Sequence, residues 1–158
     1  MTLLVVAISI ALPTLANFFR GRTLDSEARR LLALTRQGQS RAVSEGVPMV
    51  LRVDAAQGKY ALDEDSSYTD HDPKRIQFSL DRDLHMEVVA AATPITMLSS
   101  RTPSRANPSN LPEIRFLPDG TIDETSVQAV RLLGRDGVSL WLGQSRNRLN
   151  YEIRNQAN

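Results

Sequence analysis

The chain has 158 residues, with 19 Lys and Arg against 18 Asp and Glu, and it contains no cysteine. This length supports one domain with a single hydrophobic core and is short for two. A sequence without cysteine excludes disulfides, thiolate zinc sites, iron–sulfur clusters and a cysteine nucleophile. The formal net charge of +1 gives no strong global field of the histone type.

The N-terminal segment is uncharged, because no Lys, Arg, Asp or Glu occurs before Arg20. Leu3–Phe19 is slightly shorter than the roughly 20 apolar residues that span a bilayer. A cleavable signal would need a basic region ahead of the apolar run, and a soluble core helix would need a polar face. The sequence has neither, so we predict a membrane anchor, bent at Pro13, that continues past Arg20 and Arg22 into the next segment. The predicted membrane and assembly residues are Leu3, Leu4, Val5, Val6, Ile8, Ile10, Leu12, Pro13, Leu15, Phe18 and Phe19.

An amphipathic pattern follows the apolar segment. From Thr23 onward apolar residues recur near every 3.6 positions, with charged residues between them. The pattern predicts a helix over residues 23–46 that ends at Gly46, with Pro48 beyond it. A helix continuous from near residue 2 to residue 45 would be about 65 Å long, so half of it must lie outside the globular body. The residues predicted to dock this helix on its own β domain are Leu24, Ala28, Leu31 and Leu34.

Residues 47–158 show the signals of a β domain. The apolar period falls to about two, which predicts an antiparallel sheet, and Gly58, Gly120 and Gly137 mark its turns. Residues 99–112 contain three prolines and four serines, which predicts an exposed loop. The predicted strands are 49–54, 59–63, 75–80, 84–89, 113–117, 127–134, 138–142 and 148–154.

Few residues suggest chemistry. Asp63-Glu64-Asp65 and Asp70-His71-Asp72 form an acidic stretch, but it lacks the order and central glycine of an EF-hand, which favours a solvated hairpin loop over a Ca²⁺ site. His85 is interpreted as a half-buried or surface histidine rather than a general base. The sequence has no serine-nucleophile or phosphate-loop motif, so we assign no catalytic residue, no cofactor and no metal.

Two features lie near the C-terminus. Trp141 alternates with leucines and is predicted to pack in the core or between subunits. Arg146, Arg148 and Arg154 could contact the phosphates of DNA. A solvated face is favoured for them, because Glu152 lies among them.

Two stretches resemble a known family. SRAVSEG at Ser40–Gly46, followed by a proline and the strand MVLRVD, joins the helix to the β domain, and IRFLPDGT occupies Ile114–Thr121. With the apolar helix, these stretches resemble the minor pseudopilin of type II secretion called general secretion pathway protein H, and its FimT-like type IV pilin relatives. The motifs are architectural and identify no catalytic residue.

The resemblance implies an α+β, pilin-like fold: a membrane-spanning helical segment over residues 1–22, an amphipathic half over 23–46, and a periplasmic antiparallel β domain over 47–158. It implies a non-enzymatic, single-pass inner-membrane subunit. Other pseudopilins would be its partners, in or at the tip of a periplasmic filament for protein secretion, with membrane lipid before assembly and secreted cargo as further candidates. The FimT-like alternative implies DNA binding through Arg146, Arg148 and Arg154.

The resemblance also implies features upstream of Met1. Family members begin with a basic leader that prepilin peptidase cuts at a glycine, and the new N-terminus is methylated. An apolar segment with a glutamate follows the cut. The sequence contains none of these features, so we expect the leader and about nine mature residues to lie upstream, which would extend the span to an adequate length.

Overall fold

The computed structural model describes residues 2–68, 72–89 and 111–155, with side chains described from Arg22 onward. One helix, α1 (Thr2–Glu45), precedes eight strands. The strands are β1 (Met49–Asp54), β2 (Lys59–Glu64), β3 (Ile76–Ser79), β4 (Leu84–Val89), β5 (Glu113–Phe116), β6 (Ala129–Gly134), β7 (Ser139–Gln144) and β8 (Tyr151–Arg154).

The strands form two four-stranded antiparallel sheets. Sheet A has the order β3-β2-β1-β5 and sheet B has the order β4-β6-β7-β8. The chain leaves sheet A after β3, adds β4 to sheet B, and returns to sheet A for β5, so neither sheet can be completed by a contiguous stretch of sequence. The α+β class predicted from the sequence is confirmed.

The C-terminal half of α1 packs against strands of both sheets, namely β1, β5, β6, β7 and β8. The buried positions recur every three or four residues, which places them on one stripe of the helix. Leu24, Ala28, Leu31 and Leu34 are 3%, 2%, 0% and 3% exposed and belong to the hydrophobic core.

Gly38 allows the helix to approach sheet A closely. A Cβ atom at this position would lie 2.8 Å from the Phe116 ring and 2.9 Å from Leu62 Cδ1, and real Cβ atoms do not approach other atoms so closely. Glycine in a helix costs about 1 kcal/mol relative to alanine. The close packing of helix on sheet accounts for its presence here.

Glycines also end the helix and form the turns. Gly46 has a φ of +71° and donates its N–H to the carbonyl of Ala42 at 3.0 Å, so α1 stops where the sequence predicts. The three predicted turn glycines, Gly58, Gly120 and Gly137, all have positive φ.

Among the strands that begin later than predicted, the last one differs most from its prediction. The sequence predicts a strand over 148–154, whereas β8 begins at Tyr151. Ser145 donates its N–H to the carbonyl of Asn150 at 2.8 Å, and Arg148 donates to the carbonyl of Ser145 at 2.9 Å. These bonds close a turn that contains Arg148, which is why the strand pairs only from Tyr151.

Some predictions fall outside the described residues. These are the side chains of the predicted anchor, Leu3 to Phe19, with any bend at Pro13, and residues 99–110 of the predicted loop. In the part of the chain that the structure describes, no helix is both long and apolar enough to cross a membrane.

Candidate functional site

The end of α1 is joined to sheet A by a cluster of ions around Arg41, here called the Arg41 cluster: Arg41, Glu45, Glu64, Asp72 and Lys74. The Arg41 guanidinium donates to both carboxylate oxygens of Asp72, at 3.1 and 3.2 Å, and through Nε to Glu45 at 3.2 Å. Its Nη2 lies 3.6 Å from Glu64, and Lys74 Nζ donates to Glu45 at 2.9 Å. Both members of the central pair are buried, because the side chain of Arg41 is 10% exposed and that of Asp72 is 0% exposed.

The surroundings of Asp72 favour its charged form. Burial alone would raise the pKa of this carboxyl, but hydrogen bonds from the Arg41 guanidinium and from the backbone N–H groups of Lys74 and Glu64 outweigh burial and hold its pKa below the usual range. Hydrogen bonds from Arg41 and Lys74 likewise lower the pKa of Glu45. Asp72 and Glu45 are therefore ionised at neutral pH, and their pairing with Arg41 holds the end of α1 against the segment between β2 and β3.

A second buried contact lies nearer the N-terminus of α1 than the Arg41 cluster. The Tyr60 hydroxyl of β2 donates to Glu27 at 3.0 Å, and Arg30 donates to the same carboxylate at 2.5 Å. Burial, and then the adjacent Glu27 charge, raise the pKa of Tyr60 well above its usual value. Arg30 also lies 5.0 Å above the Phe78 ring. The helix is thus joined to sheet A by polar contacts at both ends of the docked segment.

The acidic stretch connects β2 to β3, which pair as a hairpin, but two of its carboxylates are buried and not solvated as the sequence predicts. Asp65 and Asp72 are 2% and 5% exposed, and each pairs with an arginine, Asp65 with Arg115 and Asp72 with Arg41. An unpaired buried carboxylate would be costly in free energy, which explains why each of these two is paired with a cation. Asp70 and His71 lie outside the described residues.

Gln39 joins the helix to two distant turns. Its side-chain amide donates to the carbonyl of Gly120 at 2.5 Å and to the carbonyl of Leu149 at 2.8 Å. The first turn follows β5, and the second joins β7 to β8. The polar face of α1 therefore positions the turn that carries Arg146 and Arg148.

The outer face of sheet B carries an open trough of about 450 Å³. Ala129 and Gly143, which are register partners on β6 and β7, form a floor of small residues. A Cβ atom added at Gly143 would meet nothing within 4 Å. We call this feature the sheet B trough; its walls are formed by Val89, Gln128, Trp141, Gln144, Ser145, Arg146, Arg148 and Arg154.

Trp141 lies on the outer face and not in the core. Its neighbour Leu142 is buried, whereas Trp141 is half-buried and registers with Arg131 and Arg154. The Arg131 guanidinium lies 5.3 Å from the centre of the indole ring. The core interpretation of Trp141 is therefore wrong, and packing against a partner stays a prediction.

The three arginines proposed as DNA contacts line the sheet B trough but differ in their pairing. Arg154 is paired with Glu152 and is 25% exposed in its side chain. Arg146 and Arg148 are exposed, and within the described residues neither makes an ion pair. Arg148 is also the one residue other than glycine with positive φ, +56°, in the described part of the chain.

His85 is exposed on β4. In the described ranges, no group of three or more His, Cys, Asp and Glu side chains is placed to hold a metal ion. The candidate functional features described above are the docking contacts of α1 and the sheet B trough. Sequence reasoning did not identify Gly38, Gln39 or the pairing of Arg41 with Asp72.

A long helix docked across two antiparallel sheets is the pilin-like arrangement that the sequence predicts. The model of the family described as Type II transport protein GspH matches residues 27–149, and the chain belongs to this family. The resemblance to minor pseudopilins drawn from the sequence is thereby confirmed.

Solved structures show the same fold. Two structures of the minor pseudopilin EpsH from the type II secretion system of Vibrio cholerae are similar to this chain, each at 11% identity. One has a TM-score of 0.58 and covers 87% of this chain and 96% of its own. The other has a TM-score of 0.53 and covers 85% and 96%. No curated protein matches the chain. These comparisons do not favour the FimT-like DNA-binding alternative.

Proposed function

We propose that the chain is a structural, non-enzymatic minor pseudopilin that is anchored in the inner membrane and assembles with other pseudopilins into, or at the tip of, a periplasmic filament for type II secretion. Residues 1–22 form the membrane and assembly segment, residues 23–46 the amphipathic half-helix, and residues 47–158 the periplasmic β domain. Before assembly the anchor lies in lipid, and any leader upstream would be removed by prepilin peptidase.

The observation that carries the proposal is that α1 is much longer than the body on which it docks. A helix of 44 residues is about 66 Å long, whereas a compact body of about 110 residues has a radius of gyration near 13 Å. The core residues of α1 occur from Leu24 to Ala42. The uncharged run before Arg20 thus belongs to the part of the helix with the right composition for lipid or for packing against other helices.

Site-directed cross-linking tests assembly, and the absence of native cysteine makes single-cysteine variants unambiguous. Ser40 is exposed on α1, and Arg135 is exposed in the turn after β6. In cells that make the other pseudopilins, Ser40→Cys should form membrane-associated adducts with them through a thiol-reactive cross-linker. The same variant without residues 1–22, exported to the periplasm, should lose these adducts.

Arg135→Cys is the matched surface control and should react with the cross-linker without giving the same pseudopilin adducts. Adducts that persist without residues 1–22, or a Ser40→Cys chain that forms none, would contradict assembly through the helix.

A further inference from the structure

Among the residues that the structure describes, the sheet B trough combines a floor of small side chains, an aromatic wall and cations without an ion-pair partner. We propose that it binds an acidic segment of a partner polypeptide, with Arg146 and Arg148 receiving carboxylates and Trp141 receiving an adjoining apolar side chain. The proposal concerns binding by the single chain and does not depend on incorporation into a filament.

The first argument is the vacant space. Strand interiors disfavour glycine, because it gains nothing from packing and loses more conformational entropy than other residues. Gly143 nevertheless occupies the middle of sheet B, opposite Ala129, and no neighbouring atom requires the absence of a Cβ. Its effect is to keep the trough deep enough for a side chain from outside.

The second argument is the distribution of charge. Arg131 pairs with Glu87 at 3.2 Å, and Arg154 pairs with Glu152, so these two cations are neutralised on the chain itself. Arg146 and Arg148 remain unpaired among the described residues, beside the same trough. A guanidinium without an ion-pair partner can donate two parallel hydrogen bonds to one carboxylate. Arg146 and Arg148 could therefore each bind a carboxylate of a ligand.

The third argument is the backbone of the turn. Arg148 adopts a φ of +56°, a left-handed backbone conformation that is unfavourable for an L-residue with a large side chain. The Gln39 amide holds the adjacent Leu149 carbonyl at 2.8 Å. The fold thus maintains an unfavourable conformation at a residue whose side chain makes no ion pair within the described chain.

A carboxylate ligand is favoured over nucleic acid. Affinity for nucleic acid grows with the number of phosphates neutralised, and two unpaired arginines neutralise few. Guanidinium–carboxylate pairs already occur twice on sheet B, and an acidic segment would add to them.

The test uses Trp141, which is the only tryptophan in the sequence and lines the trough. The full chain in nonionic detergent is titrated with a glutamate–tyrosine copolymer, with polyglutamate, and with a thymidine oligonucleotide of matched charge. We expect a saturable change in Trp141 emission with the copolymer, a weaker one with polyglutamate, and the weakest with the oligonucleotide. Anisotropy of a labelled copolymer gives the dissociation constant independently of the tryptophan.

Variants locate the binding site. Arg146→Ala combined with Arg148→Ala should raise the Kd for the copolymer about tenfold or more, because charge-assisted hydrogen bonds are lost. Gly143→Val should fill the trough and also weaken binding about tenfold or more, while valine suits a strand. Arg82→Ala removes one exposed arginine just before β4, at the other end of that strand from Val89, and should leave the Kd unchanged.

Far-UV circular dichroism shows whether each variant is folded. If Gly143→Val does not fold, the arginine double variant alone tests the proposed binding site. No response to the copolymer would overturn the proposal, as would equal affinity in the arginine double variant and the unmodified chain. Tighter binding of the oligonucleotide than of the copolymer would also overturn it and identify a nucleic-acid site. None of these outcomes affects the cross-linking expected for the filament subunit.

Discussion

Two sets of arginines in this molecule have opposite surroundings. Arg41 is buried against three carboxylates at the junction of α1 with sheet A, whereas Arg146 and Arg148 are exposed beside the sheet B trough without a carboxylate partner in the described chain. A buried charge is tolerated only with partners, so removing one partner is costly. An exposed, unpaired charge contributes little to stability. The comparison separates residues that hold the helix on the body from residues available to another molecule.

The largest effect is expected at the Arg41 cluster. Arg41→Met should lower the free energy of unfolding by about 4 kcal/mol, because it leaves the buried carboxylate of Asp72 without its cation. Lys74→Met is the matched control: Lys74 joins the same cluster but its side chain is 65% exposed, so the change should be within about 0.5 kcal/mol. Chemical denaturation monitored by circular dichroism measures both. Similar losses in the two variants would show that burial does not govern the cluster.

The same cluster should make stability depend on acid. The pKa of Asp72 is lowered in the folded state, so its contribution is present above the pKa of an unfolded aspartate, near 4, and is lost as the pH falls through the lower folded value. Asp72→Asn has no such group to protonate. Denaturation curves from pH 7 to pH 2 should therefore converge for the two proteins at low pH. A difference in stability that stays constant across this range would contradict the ionised pair.

A side chain at position 38 should destabilise the protein. Gly38→Ala gains helix propensity of about 1 kcal/mol but forces a methyl group against Phe116 and Leu62, and overpacking of this kind costs about 1–3 kcal/mol. We expect a net loss of about 1 kcal/mol by thermal or chemical denaturation. Gly143→Ala, where a Cβ meets nothing within 4 Å, is the control and should be neutral or stabilising. A Gly38→Ala protein more stable than the unmodified chain would mean that the helix lies farther from sheet A.

Gln39 should contribute about 1 kcal/mol through its two hydrogen bonds to turns. Gln39→Ala is compared with Gln37→Ala, which removes the same side chain from an exposed position two residues earlier. Denaturation measures stability, and amide hydrogen exchange in the turn after β7 should increase only in Gln39→Ala. Equal exchange in the two variants would remove Gln39 as the residue that positions this turn.

The smallest effect concerns the turn itself. Arg148→Gly should raise the free energy of unfolding by about 0.5 kcal/mol, because glycine adopts positive φ without steric cost. Arg146→Gly, at a position without positive φ, should lower it slightly. A loss of stability in Arg148→Gly would mean that the Arg148 side chain is held by contacts that outweigh its backbone conformation.

The sequence predicts well what local rules determine. The 3.6-residue period predicted which face of α1 is buried, and Gly46 predicted where the helix ends. The turn glycines predicted where successive strands are separated. The burial of Asp72 was not predictable, because its partner Arg41 lies 31 residues away. Asp65 and Arg115 are 50 residues apart. No local pattern specifies such pairs.

Trp141 and Gly38 show a second limit. Leu140, Trp141 and Leu142 are all apolar, so alternation cannot tell which of them face the core, and only the pairing of β7 with β6 and β8 determines this. Gly38 looks like a helix-weakening residue until Phe116 and Leu62 are known to lie against it. The trough was missed for the same reason, since its floor and walls come from several strands.

We propose that an apolar N-terminal helix anchors a body that folds without it, and truncation tests this most directly. The full chain and residues 23–158, each exported to the periplasm of a bacterial host, are fractionated and the truncated chain is purified. We predict the full chain in the inner membrane, and a soluble truncated chain with cooperative thermal unfolding and both helical and β signals in circular dichroism. A full chain in the soluble periplasm would contradict anchoring by the helix, and a truncated chain that aggregates or unfolds without cooperativity would contradict independent folding of the body.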